Sequence, residues 1–228
     1  MRVLIGFTLW IGLVAAAYGQ SGNGSKTPAA APAALPADIQ PESLSRLPLV
    51  KRADLDPDGQ RIYDMLAAPN KTITPTGPVA VSMYSPKVAE AIQMLNQYLR
   101  FHGVLSRRDT ELAIIVAARE FDQQYEWSAH EIAARSVGVD QSIIDVVKYG
   151  KDVAGLSDKD TLIIRFGRQL FREHKLSSEL FAKAVELFGR QGTVEMATVM
   201  GDYAMAGIML TAADQHLPPE RQQLLPAR

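Results

Sequence analysis

The 228-residue sequence predicts an all-α fold, a helical bundle, on three observations. No stretch alternates apolar and polar side chains long enough to make a half-buried strand. Serine and aspartate caps recur immediately ahead of apolar residues spaced three and four apart, the signature of amphipathic helices. Aromatic residues make up only 7% of the chain while Ala and Leu abound, a balance that suits helices better than sheets.

Three regions divide the chain. Residues 1–19 read as a signal peptide: Met1-Arg2 gives a basic start, Val3 to Val14 an apolar core, and Ala17-Tyr18-Gly19 puts small residues at −3 and −1 of a cut before Gln20. That apolar run is too short to span a bilayer. The expectation is a periplasmic or secreted protein, with no membrane attachment after cleavage. Residues 20–43, rich in Ser, Gly, Pro and Ala, read as a flexible linker. Residues 44–228 form the single helical domain.

Within that domain, Asp56-Pro57 is a cap followed by proline at the first helical position, opening a helix through Ile62, Tyr63, Met65 and Leu66 that Pro69 stops. Asn70 to Tyr84, with prolines, a glycine and β-branched residues, reads as an extended covering loop. Ser85-Pro86 starts a helix through Val88, Ile92, Leu95 and Leu99 that ends at Gly103. Ser106-x-x-Asp109 is a capping box for a helix carrying Leu112, Ile115, Val116 and Arg119. The helix of Glu126 and His130 follows and stops at Gly138. Asp140 caps a short one ending at Gly150. Ser157-x-x-Asp160 opens the next, through Leu162, Phe166 and Leu170. Ser177 caps a helix closed by Gly192, and Thr193 begins a last long one to about Ala213, with Met196, Met200, Met205 and Met209 at core spacing.

Charge excludes one class of partner. With 24 basic and 25 acidic residues, a net charge of −1, the chain lacks the electrostatic footprint of a nucleic-acid binder. The absence of cysteine removes thiol nucleophiles and disulfides. No His-x-x-x-His or Cys cluster marks a metal site, so neither a metal nor another cofactor is expected.

The chemistry points to Tyr125-Glu126-Trp127-Ser128-Ala129-His130. Glu126 and His130, at i and i+4, share one helix face, so a carboxylate and an imidazole can reach one substrate atom together. Glu111 heads an uninterrupted apolar run, where an inward-facing acid needs a partner and His130 is a suitable one. Two acids and a histidine suffice for proton transfer on a carbon acid. His130 is the expected proton donor or electrophile, Glu126 its orienting partner and Glu111 a second acid. Trp127 and Tyr125 are the expected walls of the substrate site, and Arg119 is the candidate to hold a substrate carboxylate. The other histidines, His102, His174 and His216, stand near helix ends, where a cationic side chain suits the dipole.

These residues carry a resemblance to the carboxymuconolactone decarboxylase family, which includes the alkyl hydroperoxidase D-like proteins. The matching pieces are Gly77-Pro78 with Ser85-Pro86, Leu105-Ser106-x-x-Asp109-x-Glu111-Leu112, Tyr125-Glu126-Trp127-x-x-His130 with Gly138, and Val194-Glu195 through Gly201-Asp202-Tyr203. They span roughly residues 56–219. The resemblance implies an all-helical protein assembled as a homotrimer or homohexamer, acting on a small molecule. The family's peroxidase branch has Cys-x-x-Cys-x-x-x-His. Here Gln123 and Glu126 stand in the cysteine places, and Glu111 matches that branch's proton-relay acid. Without either sulfur the antioxidant activity is disfavoured, and the cysteine-less decarboxylase branch fits better. The expected function is therefore a cofactor-free lyase or isomerase working on a small carboxylated or lactone-type molecule. Its rivals are peroxidase activity and a non-catalytic, ligand-binding helical oligomer.

Overall fold

The computed structural model describes residues 35–68, 72–74 and 76–227. The signal-peptide reading and most of the linker lie outside these residues. Where the linker is described, the packed chain begins earlier than its composition suggests. Ile39 and Ser43 are buried, and a bridge between Gln40 and Ser45 closes a turn. Arg46 N–H donates to the Ala213 carbonyl, which ties this turn to the end of the last helix.

All regular structure among the described residues is helical apart from that isolated bridge. After a 3₁₀ turn at Arg52–Asp54 come α1 (Pro57–Ala67), α2 (Pro78–Ser82), α3 (Pro86–Phe101), α4 (Arg107–Glu120), α5 (Gln124–Ser136), α6 (Gln141–Lys148), α7 (Asp158–Glu173) and α8 (Ser178–Ala212). Four of the caps read from the sequence, Asp56, Ser106, Ser157 and Ser177, are made, whereas Asp140 makes no side-chain cap hydrogen bond. Asp56 accepts from Gly59 N–H at 2.7 Å, Ser106 from Asp109 N–H at 3.1 Å and Ser157 from Asp160 N–H at 3.2 Å. The Ser157 hydroxyl also donates to the Asp160 carboxylate.

Two expectations are corrected. The 70–84 loop contains the short helix α2, because Pro78 at its first turn favours helical φ after Gly77. The break in the last helical stretch falls at Gly189 (φ 69°, ψ 173°), three residues before the expected Gly192. Only glycine adopts that backbone conformation freely. Thr193 then donates its hydroxyl to the Gly189 carbonyl and covers the group the break exposes.

The architecture centres on α4. Every residue from Asp109 to Arg119 is buried, and α5, α7 and α8 pack around it. A helix buried on its whole circumference belongs at the middle of a bundle. Gly167 of α7 marks the closest approach: a Cβ there would collide with Val116 of α4 and press on Met200 of α8. Met196 and Met200 are fully buried in this core with Leu112, Ile114, Ile115 and Ile163. A second, smaller apolar cluster of Ile62, Met83 and Ala89 joins α1, α2 and α3. Among the described residues no helix is long and apolar enough to cross a membrane.

Candidate active site

Glu111 enters the core from the first turns of α4 and is fully buried. Its Oε2 lies 2.7 Å from His130 Nδ1 on α5. Its Oε1 accepts from two guanidinium groups at 3.0 Å each, Arg100 from the end of α3 and Arg107 one turn earlier on α4. Burial alone would raise this carboxyl. The hydrogen bond and charge of His130, with the charge of Arg100, outweigh it and hold the group down at about 2. Glu111 is therefore an ionised, three-fold-held acceptor.

That hydrogen bond fixes the imidazole. With Nδ1 donating to a carboxylate, Nε2 is the ring atom left for chemistry. Nε2 faces Glu126 Oε2 at 3.6 Å, just beyond hydrogen-bond length. Tyr203 of α8 closes over the ring edge-on, with centroids 4.8 Å apart. Its phenol stays protonated, pushed well up by burial. Asn96 of α3 donates to both the Tyr203 hydroxyl (3.3 Å) and the Asp202 carboxylate (3.0 Å).

Glu126 contrasts with Glu111. It is buried, its Oε1 has no hydrogen-bond partner among the described residues, and burial pushes its carboxyl up against the opposing charges of His130 and Arg100. Asp202 is likewise raised by burial and has an unpartnered Oδ1. One carboxyl held down and one pushed up thus flank a single imidazole, an arrangement that can separate an orienting group from a proton-exchanging one. The geometry pairs His130 more closely with Glu111, at 2.7 Å, than with Glu126, at 3.6 Å, the orienting partner expected from the spacing. Among the described residues no cluster of His, Asp and Glu has the geometry of a metal site.

The other expected residues divide. Tyr125 stands beside Glu126 with its hydroxyl 2.9 Å from Thr76 Oγ1 and its ring against Gly77. Trp127, expected as a wall of the substrate site, lies in the core. It is fully buried there, with its indole N–H donating to Glu131 Oε2 at 2.5 Å. The offset of about 100° per residue turns it away from the Glu126/His130 face. Nor is Arg119 placed to hold a carboxylate beside His130. Eight residues after Glu111, about 12 Å along α4, it donates to Asp122 Oδ1 and to the Pro226 carbonyl, both at 2.9 Å. Gln123, one of the two positions where the resemblance places cysteine, is structural. It caps α5 through Tyr125 N–H and donates to Gly207 O and Thr211 Oγ1 of α8.

Sequence reasoning missed Arg100, Arg107, Asn96 and the packing of Tyr203. Arg107 was within reach, since it stands at i−4 from Glu111 on the same helix. Arg100 and Asn96 come from a different helix and leave no local signal. A groove of about 770 Å³ between α7 and the first part of α8, lined by Arg165, Arg168, Arg172 and Lys183 among others, contains none of the site residues.

Residues 86–158, which hold Glu111, Glu126 and His130, match the model of the carboxymuconolactone decarboxylase family. No curated protein matches the sequence. Solved structures share the fold. An alkylhydroperoxidase AhpD core protein, a peroxidase-related protein from Ralstonia eutropha JMP134, is 19% identical with a TM-score of 0.61, covering 78% of this chain and 94% of that one. A peroxidase-related protein from Silicibacter sp. TM1040 is 15% identical with a TM-score of 0.61, covering 81% and 96%. A variant of the debrominase Bmp8 in complex with 2,3,4-tribromopyrrole is 11% identical with a TM-score of 0.59, covering 75% and 91%.

Proposed function

We propose that this chain, whose residues 86–158 match the model of the carboxymuconolactone decarboxylase family and whose fold is shared with an alkylhydroperoxidase AhpD core protein, is a lyase or isomerase using side-chain acid–base chemistry on a small carboxylated or lactone-type molecule. One observation carries this reading. His130 is anchored through Nδ1 by ionised Glu111 and presents Nε2 to Glu126, whose carboxyl burial pushes toward its protonated form. The Glu126–His130 pair can hold one exchangeable proton at fixed net charge, on Oε2 or on Nε2. In a decarboxylation, the electron pair of the breaking C–C bond moves into the substrate's conjugated system as CO2 departs. The proton held by the pair is then delivered to carbon, and solvent restores it. Arg100 and Arg107 keep Glu111 ionised throughout, so the imidazole does not turn.

The peroxidase names of the neighbouring structures stay with those proteins, because this chain has no cysteine to serve as a thiol nucleophile. The expected targeting segment would place the reaction outside the cytoplasm, and the resemblance favours a trimeric or hexameric assembly. The test is CO2 release, or lactone isomerisation, from a panel of muconolactone-type acids with wild-type protein and His130→Ala. Turnover lost in the folded variant is expected. Dithiol-dependent consumption of hydroperoxide by the wild type, with no acid turned over, would sink the lyase reading.

A further inference from the structure

Residues 214–227 run back from the end of α8 over the start of α5. Asp214 turns the chain with φ 49°, and two sets of contacts then hold it down. At the near end, the Gln215 side chain accepts from Gly77 N–H at 3.1 Å and donates to the Ser43 and Leu44 carbonyls. At the far end, the Gln124 amide pairs with both backbone groups of Leu225, donating to its carbonyl at 3.2 Å and accepting from its N–H at 2.8 Å. Leu225 is buried in the main core, and Arg119 donates to the Pro226 carbonyl. The segment is a strap fastened at both ends.

Between the fastenings stands Arg221. Its guanidinium carbon lies 4.8 Å from the centroid of the Tyr125 ring, on the residue next to Glu126. The ring is itself fixed, clamped between Gly77 and the hydrogen bond to Thr76. A guanidinium laid on a rigid aromatic face has its plane set and its N–H edge free for a planar, two-oxygen acceptor. Arg221 Nη1 is buried and has no hydrogen-bond partner among the described residues, and neither has Glu126 Oε1. The other arginines around the site carry partners: Arg100 and Arg107 pair with Glu111, although Arg100 Nε is also buried without a partner among the described residues, and Arg119 donates to Asp122 and Pro226. Burial pushes the Glu126 carboxyl up, against the charges of His130, Arg100 and Arg221 itself, and no hydrogen bond or ion pair joins it to Arg221 among the described residues. A guanidinium whose buried Nη1 has no partner, beside an acid–base pair, has the charge and the donors to receive an anion.

We propose that the strap of residues 214–227 completes the site and that Arg221, stacked on Tyr125, binds the carboxylate of a small planar acid next to Glu126 and His130. This rests on the acid–base reading of the site and assigns to Arg221 the carboxylate-binding role that Arg119 does not fill. The test measures binding of benzoate and 5-oxotetrahydrofuran-2-carboxylate, each against its own primary amide, by calorimetry on the whole protein. Wild type should bind at least one acid tenfold or more tightly than its amide. Arg221→Gln should bring the acid to the level of the amide, Arg221→Lys should fall between, and thermal midpoints should be unchanged, since the side chain is partly exposed. Equal binding of acid and amide by the wild type, failure of both acids to bind, or an unchanged preference in both variants would overturn the proposal. The measurement needs no turnover. Acid binding through Arg221 with no CO2 released retires the lyase reading and keeps the strap, whereas turnover with an unchanged KM in Arg221→Gln does the reverse.

Discussion

Glu111 and His130, nineteen positions apart on successive helices, meet at 2.7 Å inside the bundle, and the carboxylate rather than the imidazole is the fully buried partner. That order of burial matters. A buried ionised acid must be matched on all sides, and Glu111 is matched by His130, Arg100 and Arg107. The imidazole is left with one edge anchored and one edge toward Glu126.

Removing the charge of Glu111 should therefore damage both stability and function. Glu111→Gln leaves Arg100 and Arg107 without their counter-ion, at a cost of about 3–5 kcal/mol by analogy with other broken buried pairs. The pH dependence carries the same sign. Because the folded carboxyl is held at about 2, below its ordinary 4.5, its contribution is present in full above pH 4.5 and is lost as pH falls toward 2. Thermal melts from pH 2 to 6 should show a steep acid arm in the wild type and a flatter one in Glu111→Gln. Parallel arms would mean that Glu111 is not held ionised.

Glu126 predicts the opposite response. Its folded pKa is raised, so the folded state binds more protons than the unfolded state as pH climbs past the ordinary carboxyl range, and stability falls there. Glu126→Gln removes that penalty. The variant should melt higher than wild type at pH 7 to 8, by about 2–4 °C for each kcal/mol relieved, and no higher at pH 4. Turnover should be lost all the same. A residue whose removal stabilises the fold and abolishes activity is held in place for chemistry. A lower melting point at pH 7 would make Glu126 structural.

The helices and their caps were legible because they are local. Ser106 and Ser157 announce themselves three residues ahead of the N–H groups they receive. The Glu126/His130 face followed from spacing, and Glu111 from a charge set in an apolar run. What was not legible depends on tertiary placement. Trp127 and Glu126 are neighbours in sequence, yet one helical step sends the first into the core and the second into the site. Arg119 and Arg221 look alike as surface cations. Only the path of the strap shows that the first fastens Pro226 and the second lies on Tyr125.

Glu131 provides a control on the same helix. It is fully buried and holds Trp127 Nε1, Lys148 Nζ at 3.1 Å and the Arg135 guanidinium. Among the described residues its side chain makes no hydrogen bond or ion pair with Glu111 or His130. Glu131→Gln leaves Lys148, itself mostly buried, without its partner. The expected loss is about 3–5 kcal/mol of stability, with activity per folded molecule unchanged. If the variant keeps its melting point but loses turnover, the division of α5 into a core face and a reactive face is wrong.

Gly77 tests whether the Tyr125 platform is part of the site. Its φ of 96° with ψ near 180° is open to glycine and costs other residues about 1–3 kcal/mol. A Cβ there would also come within 2.7 Å of the Tyr125 hydroxyl and within 3.0 Å of the ring. Gly77→Ala should thus lower stability and push the ring from beneath Arg221, so that KM for an acidic substrate rises more than kcat falls. Tyr125→Phe alone loses only the hydrogen bond to Thr76, worth about 1 kcal/mol, and keeps the face on which the guanidinium lies. Combining the two separates backbone strain from the clash. The phenylalanine removes the nearest atom, so Gly77→Ala should cost less in the Tyr125→Phe background than in the wild type, a coupling read directly from the double-mutant cycle. Strictly additive costs would show that Gly77 matters for its own backbone alone and that the ring is free to move.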